Sequence, residues 1–120
     1  VKELSQDYLN DGSMMFKVQG EKSSMLFCAD VGKAMSDYLL DTWGEKLKAD
    51  YIQMGHHGNG GLLKDFYEEG SPKLAFFDAP DWLMYDETGK YTTPENAKEM
   101  ESLGSEVVSF HTQPNTVSIE

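Results

Sequence analysis

The chain predicts an α/β domain built as a layered, mixed sheet with helices on one face. Short apolar segments alternate with segments of helical period, glycine-, asparagine- and proline-rich turns fall between them, and no apolar run is long enough for another class. The order reads hairpin, helix, strand, helix, strand, helix, strand.

Each element has its own local reason. Asn10-Asp11-Gly12 is a turn signal, and after it Met14, Phe16 and Val18 alternate with Met15, Lys17 and Gln19, the period of two of a half-buried strand. Beyond the polar Gly20–Ser23 stretch, Met25 to Ala29 is a continuous apolar run suited to a buried strand, so the two form a hairpin. From Lys33, the residues Ala34, Met35, Tyr38, Leu39 and Trp43 recur at helical spacing, and Gly44 ends them. Ala49 to Met54 is a further strand, closed by Gly55-His56-His57-Gly58-Asn59-Gly60-Gly61, where glycines permit unusual backbone angles. Leu62 to Glu69 predicts a short helix broken at Ser71-Pro72, and Lys73 to Asp78 a strand. Ala79 to Thr93 has no period and reads as a loop. Pro94 opens a helix that runs to Leu103 and stops at Gly104; Val107–Phe110 and Thr116–Ile119 are closing strands. With helices on one side only, the other sheet face calls for a second sheet or a partner, the first sign that half of a fold is missing.

Composition narrows the function. The 120 residues carry 10 Lys, no Arg and 21 Asp plus Glu, a formal net charge of -11, and form one domain over residues 1–120. Without guanidinium forks and with a repelling field, the chain is not expected to bind nucleic acid by itself. No apolar stretch approaches the roughly 20 residues of a membrane span. The lone Cys28 forms no internal disulfide, which fits a reducing, cytoplasmic setting. The Val1–Asp7 stretch lacks both an initiating Met and the order of a signal peptide, as expected of a piece of something longer.

Two strand ends carry candidate chemistry. Asp30 follows the Met25–Ala29 run, at the carboxyl edge where α/β sheets gather their sites, or else it caps the helix that follows. His56 and His57 close the next strand, and imidazole with carboxylate is a donor set for zinc. His111 lies near a later strand end and is either part of that edge or a surface residue. The acidic Asp78, Asp81, Asp86 and Glu87 lack the spacing of a calcium loop and read as solvated. Neither a nucleophile elbow nor a P-loop occurs, and Cys28 reads as core.

Asn10-Asp11-Gly12-Ser13-Met14-Met15-Phe16, Ser24-Met25-Leu26-Phe27-Cys28-Ala29-Asp30 and Ala49-Asp50-Tyr51-Ile52-Gln53-Met54-Gly55-His56-His57-Gly58 follow one another in the order seen in another group of proteins. This set resembles the second half of a metallo-β-lactamase-fold hydrolase, in the ComEC-like branch related to the hydrolase domain of competence proteins. Ala29 stands where that family has Gly, and Asn59 where it usually has Ser. The resemblance implies one αβ half of an αββα sandwich. It implies zinc as cofactor, with manganese or iron compatible with the same donors, Asp30 as the carboxylate between two ions, and the His56-His57 pair as the final ligand motif, His56 first. It further implies attack of metal-bound hydroxide on an ester, amide or phosphodiester bond, with Asn59 and His111 as the candidate substrate-binding residues of this chain. The family's His-x-His-x-Asp-His motif is absent, so the chain is expected to be inactive alone and to need the missing N-terminal half. A different class of function, a non-catalytic module that homodimerises through its open sheet face by Met14, Phe16 and Phe76-Phe77, is the alternative.

Overall fold

A computed structural model describes residues 8–109. The Thr116–Ile119 strand, Phe110 and His111 lie outside the described residues. After a single helical turn, α1 (Tyr8–Asp11), the chain runs β1 (Phe16–Gln19), β2 (Ser24–Phe27), α2 (Ser36–Trp43), β3 (Tyr51–Gln53), α3 (Lys64–Gly70), β4 (Leu74–Phe77), α4 (Asp81–Met84), α5 (Thr93–Ser102) and β5 (Glu106–Ser109). Sequence periodicity missed α1 and α4, single turns too short to show a period.

The sheet is mixed, in the order β1-β2-β3-β4-β5. An antiparallel hairpin pairs Phe16 with Phe27 and Val18 with Met25; β2, β3, β4 and β5 then pair in parallel. Parallel neighbours need crossovers of a single hand, so an order that advances one way across the sheet drops every crossover helix on the same side. The core follows: Leu26, Ile52 and Ala75 stand in one row across the sheet and pack with Leu39 of α2, Phe66 and Tyr67 of α3, Leu83 and Met84 of α4 and Met100 of α5.

The opposite row, Phe16, Phe27, Gln53, Phe76 and Val108, faces away from those helices. Phe16 and Phe27 stack at 4.6 Å on it. At its β1 end Phe16 is 50% and Val18 54% exposed, with Met14 just before the strand at 79%. The half-buried strand expected here is instead an edge strand exposed along its length, paired among the described residues with β2 alone. Alternation also separates the Phe76-Phe77 pair: Phe77 is 1% exposed on the helix side, and only Phe76 belongs to the open face.

The helix predicted from Lys33 begins as a 3-10 turn over Lys33–Met35, so the α-helical phase starts at Ser36 and leaves Tyr38 and Trp43 exposed. Cys28 is fully buried, as expected of a core thiol, and burial pushes its ionisation well above the ordinary range. The native chain is therefore expected to resist a thiol reagent at mildly alkaline pH and to react fully once denatured, which a colorimetric thiol assay measures. Rapid native labelling would contradict this burial.

Among the described residues no helix is long and apolar enough to cross a membrane.

Candidate strand-end site

The carboxyl ends of β2, β3 and β4 lie side by side, and the chain after each carries a titratable side chain: Asp30, His57 and Asp78. Gln53, the last residue of β3, ties this edge together. Its Oε1 accepts from the N–H groups of Cys28 and Ala29, both at 2.9 Å, and its Nε2 donates to the Met54 carbonyl at 2.9 Å and to Asp78 Oδ1 at 3.3 Å. One amide side chain thus satisfies two donors that the end of a ladder leaves unpaired. The His56 N–H donates to the Ala29 carbonyl at 2.8 Å and closes the same seam.

Three non-glycine residues here adopt left-handed backbone: Ala29 at φ 51°, His56 at 53° and His57 at 58°. Each costs about 1 kcal/mol or more, and such strain clusters at functional loops. The surroundings hold it in place. Tyr67 Oη, fully enclosed beneath the loop, accepts from the Gly55 N–H at 3.2 Å. Asn96 of α5 donates to the carbonyls of Gly58 at 2.6 Å and Gly60 at 3.2 Å, and Asn59 Oδ1 accepts from the Thr92 N–H at 3.0 Å.

His57 stands between two carboxylates. Its Nδ1 is 3.0 Å from the Asp78 carbonyl and 3.1 Å from Asp78 Oδ2, while its Nε2 is 3.5 Å from Asp30 Oδ1. Both partners of Nδ1 can only accept, so Nδ1 carries a proton and Nε2 is the nitrogen turned to Asp30. At 3.5 Å this second contact is longer than a charge-assisted hydrogen bond. Nε2 thus faces a carboxylate oxygen, a nitrogen and an oxygen donor turned toward each other across 3.5 Å.

His56 points elsewhere: its Nδ1 donates to the Asn59 carbonyl at 2.6 Å, and its ring centre is 6.3 Å from that of His57. The structure brings His57, rather than His56, to Asp30. Asp30 does not cap the next helix. Gly32 holds that position, with no capping side chain, and its N–H donates to Asp11 Oδ1 at 3.0 Å. Asp78 is not a solvated loop residue but the partner of His57. Asp86 does belong to a loop: the Thr88 hydroxyl donates to it at 2.6 Å and, with the N–H groups of Tyr91 and Thr88, holds its carboxyl below the usual range. Sequence reasoning missed Gln53, Asn96 and the role of Asp78; a lone polar residue inside a strand, as Gln53 is, was the available signal.

Asp30 and His57 fit a half-site for a divalent cation, one oxygen and one nitrogen donor at neighbouring strand ends. Among the described residues no third His, Cys, Asp or Glu completes a metal-binding group. Comparison of the chain with protein-family models, with curated proteins and with solved structures returns no match.

Proposed function

We propose that this chain supplies the C-terminal αβ half of a metal-dependent hydrolase of the metallo-β-lactamase type. The observation that carries this reading is the Nδ1-anchored His57, whose Nε2 is held toward Asp30 at the carboxyl edge of a sheet with an apolar second face. An exposed apolar face suits a second layer, and an incomplete donor pair suits ligands from that layer. Asp30 and His57 would hold one side of the ion, and Asp78 and Gln53 would keep His57 in the right tautomer. When bound, the cation would supply a Lewis acid and an activated water for cleavage of an ester, amide or phosphodiester bond. Without the remaining ligands, this chain alone is inactive.

Zinc titration by calorimetry, with the His57 ring followed by nitrogen NMR, tests the site. Binding should shift Nε2 rather than Nδ1. It should be lost in Asp30→Ala and in His57→Ala and retained in His56→Ala. Binding that ignores the first two variants, or none at all, would sink the proposal.

The exposure of Phe16 and Val18 favours a second reading, a non-catalytic module that pairs two copies through this face. Sedimentation separates the two: a dimer that Phe16→Glu splits, in a chain that binds no zinc, selects the module.

A further inference from the structure

A pocket of about 240 Å³ lies where the edge strand β1 meets α2 and the 3-10 turn that follows it, Gly44–Leu47. Its apolar lining comes from Met15, Leu26, Leu39, Trp43 and Leu47. None of these residues belongs to the His57 loop, so the pocket stands apart from the strand-end site. An apolar cavity of roughly 150 Å³ is enough to hold a benzene ring, and sites for whole drug-sized ligands start at about 300 Å³. This one therefore has room for a single ring with a short substituent. Trp43, half-exposed on the last turn of α2, supplies an aromatic surface for such a ring to pack on.

Charge selects among ring-bearing ligands. Among the described residues the only charged side chains that line the pocket are Lys17 and Lys46, although the chain carries a net charge of -11. Neither forms an ion pair among the described residues. The Lys17 ammonium reaches from β1 to the chain before β3, donating to the Lys46 carbonyl at 3.2 Å and to the Lys48 carbonyl at 2.5 Å. An ammonium has three N–H donors, so these two carbonyls leave one N–H, and the positive charge itself, without an anionic partner. Lys46 Nζ lies 6.0 Å from the centre of the Trp43 ring, the outer limit of a cation–π contact. The same Lys17 tether holds β1 against the 3-10 turn, so the two walls of the pocket are set before any ligand arrives.

We infer that this pocket binds a small aromatic acid, its ring against Trp43, Met15 and Leu47 and its anionic head at Lys17 and Lys46. A neutral ring would leave both cations unpartnered, and a cationic one would be repelled; an acid meets the apolar lining and the charge together. Binding there is independent of the hydrolase reading and needs no metal.

The test titrates phenylacetate into the full chain and follows the Trp43 indole N–H and Met15 methyl NMR signals. Phenethylamine, which reverses the charge, and acetate, which lacks the ring, are the matched probes. Phenylacetate should shift both signals together and saturate, and neither of the other two should. Read on Met15, Trp43→Ala should weaken binding roughly tenfold, as loss of an aromatic contact does. Lys46→Met should weaken it about two- to fivefold, the size of one exposed ion pair, and Lys46→Glu by more. Lys46 is exposed, so neither change disturbs the core. Lys22→Met, in the β1–β2 turn, should change nothing. Absence of saturation, binding of phenethylamine as well as phenylacetate, or equal effects of Lys46→Met and Lys22→Met would each overturn the inference. Zinc plays no part in these measurements, so their outcome is independent of the zinc titration.

Discussion

A Gly58→Ala variant is expected to lose about 2–5 kcal/mol of stability, the sum of a left-handed alanine and an overpacked contact. Gly58 sits at φ 79°, and a Cβ built there would collide with the Phe77 ring, which is itself buried. The ring cannot give way, because it belongs to the helix-side core of β4. Gly60 is the matched control: at φ 68° it has the same backbone requirement, yet nothing lies within 4 Å of its Cβ position, so Gly60→Ala should cost only about 1 kcal/mol. Denaturant unfolding of both variants separates strain from collision. If the two lost equal stability, the close seat of this loop on β4 would be wrong. That seat is functional in its consequence, for it puts His57 against Asp78, the residue after Phe77.

Replacing Gln53 should have the next largest effect. Gln53→Leu removes the acceptor shared by the Cys28 and Ala29 N–H groups and the donor to Asp78. Each stranded N–H costs about 1–3 kcal/mol, and partial access of water to this edge brings the total to about 2–4 kcal/mol. Gln53→Glu keeps an acceptor oxygen and should cost less in stability, while placing a charge against Asp78. Hydrogen exchange gives the specific readout: the amides of Cys28 and Ala29 should lose protection in Gln53→Leu ahead of the rest of β2. Uniform exchange across the strand would show that Gln53 is not the latch.

Both effects arise at the seam where neighbouring strand-end loops are tied to each other, and much of that seam was not legible in the chain. Alternating and continuous apolar runs placed the described strands, and the helical-period segments between them placed α2, α3 and α5 to within a few residues. Asp30 and the histidine pair were legible as strand-end residues, since parallel strands bring their carboxyl ends to one edge. Which imidazole meets Asp30 was not. That depends on two consecutive left-handed residues, held by Tyr67, Asn96 and Thr92 from elements far away in sequence. Asp78 looked like one more member of an acidic loop because its partner is 21 residues distant along the chain.

The sequence by itself determined the α/β class, the one-sided layering and the edge on which chemistry-bearing residues collect. These follow from apolar periodicity and from the single hand of parallel crossovers, both properties of local segments. The tertiary structure alone decided that His57 stands between Asp30 and Asp78, that His56 turns instead to the Asn59 carbonyl, and that Phe76 and Phe77 part to opposite faces. Those outcomes depend on hydrogen-bond partners and packing between distant segments, which no local pattern encodes.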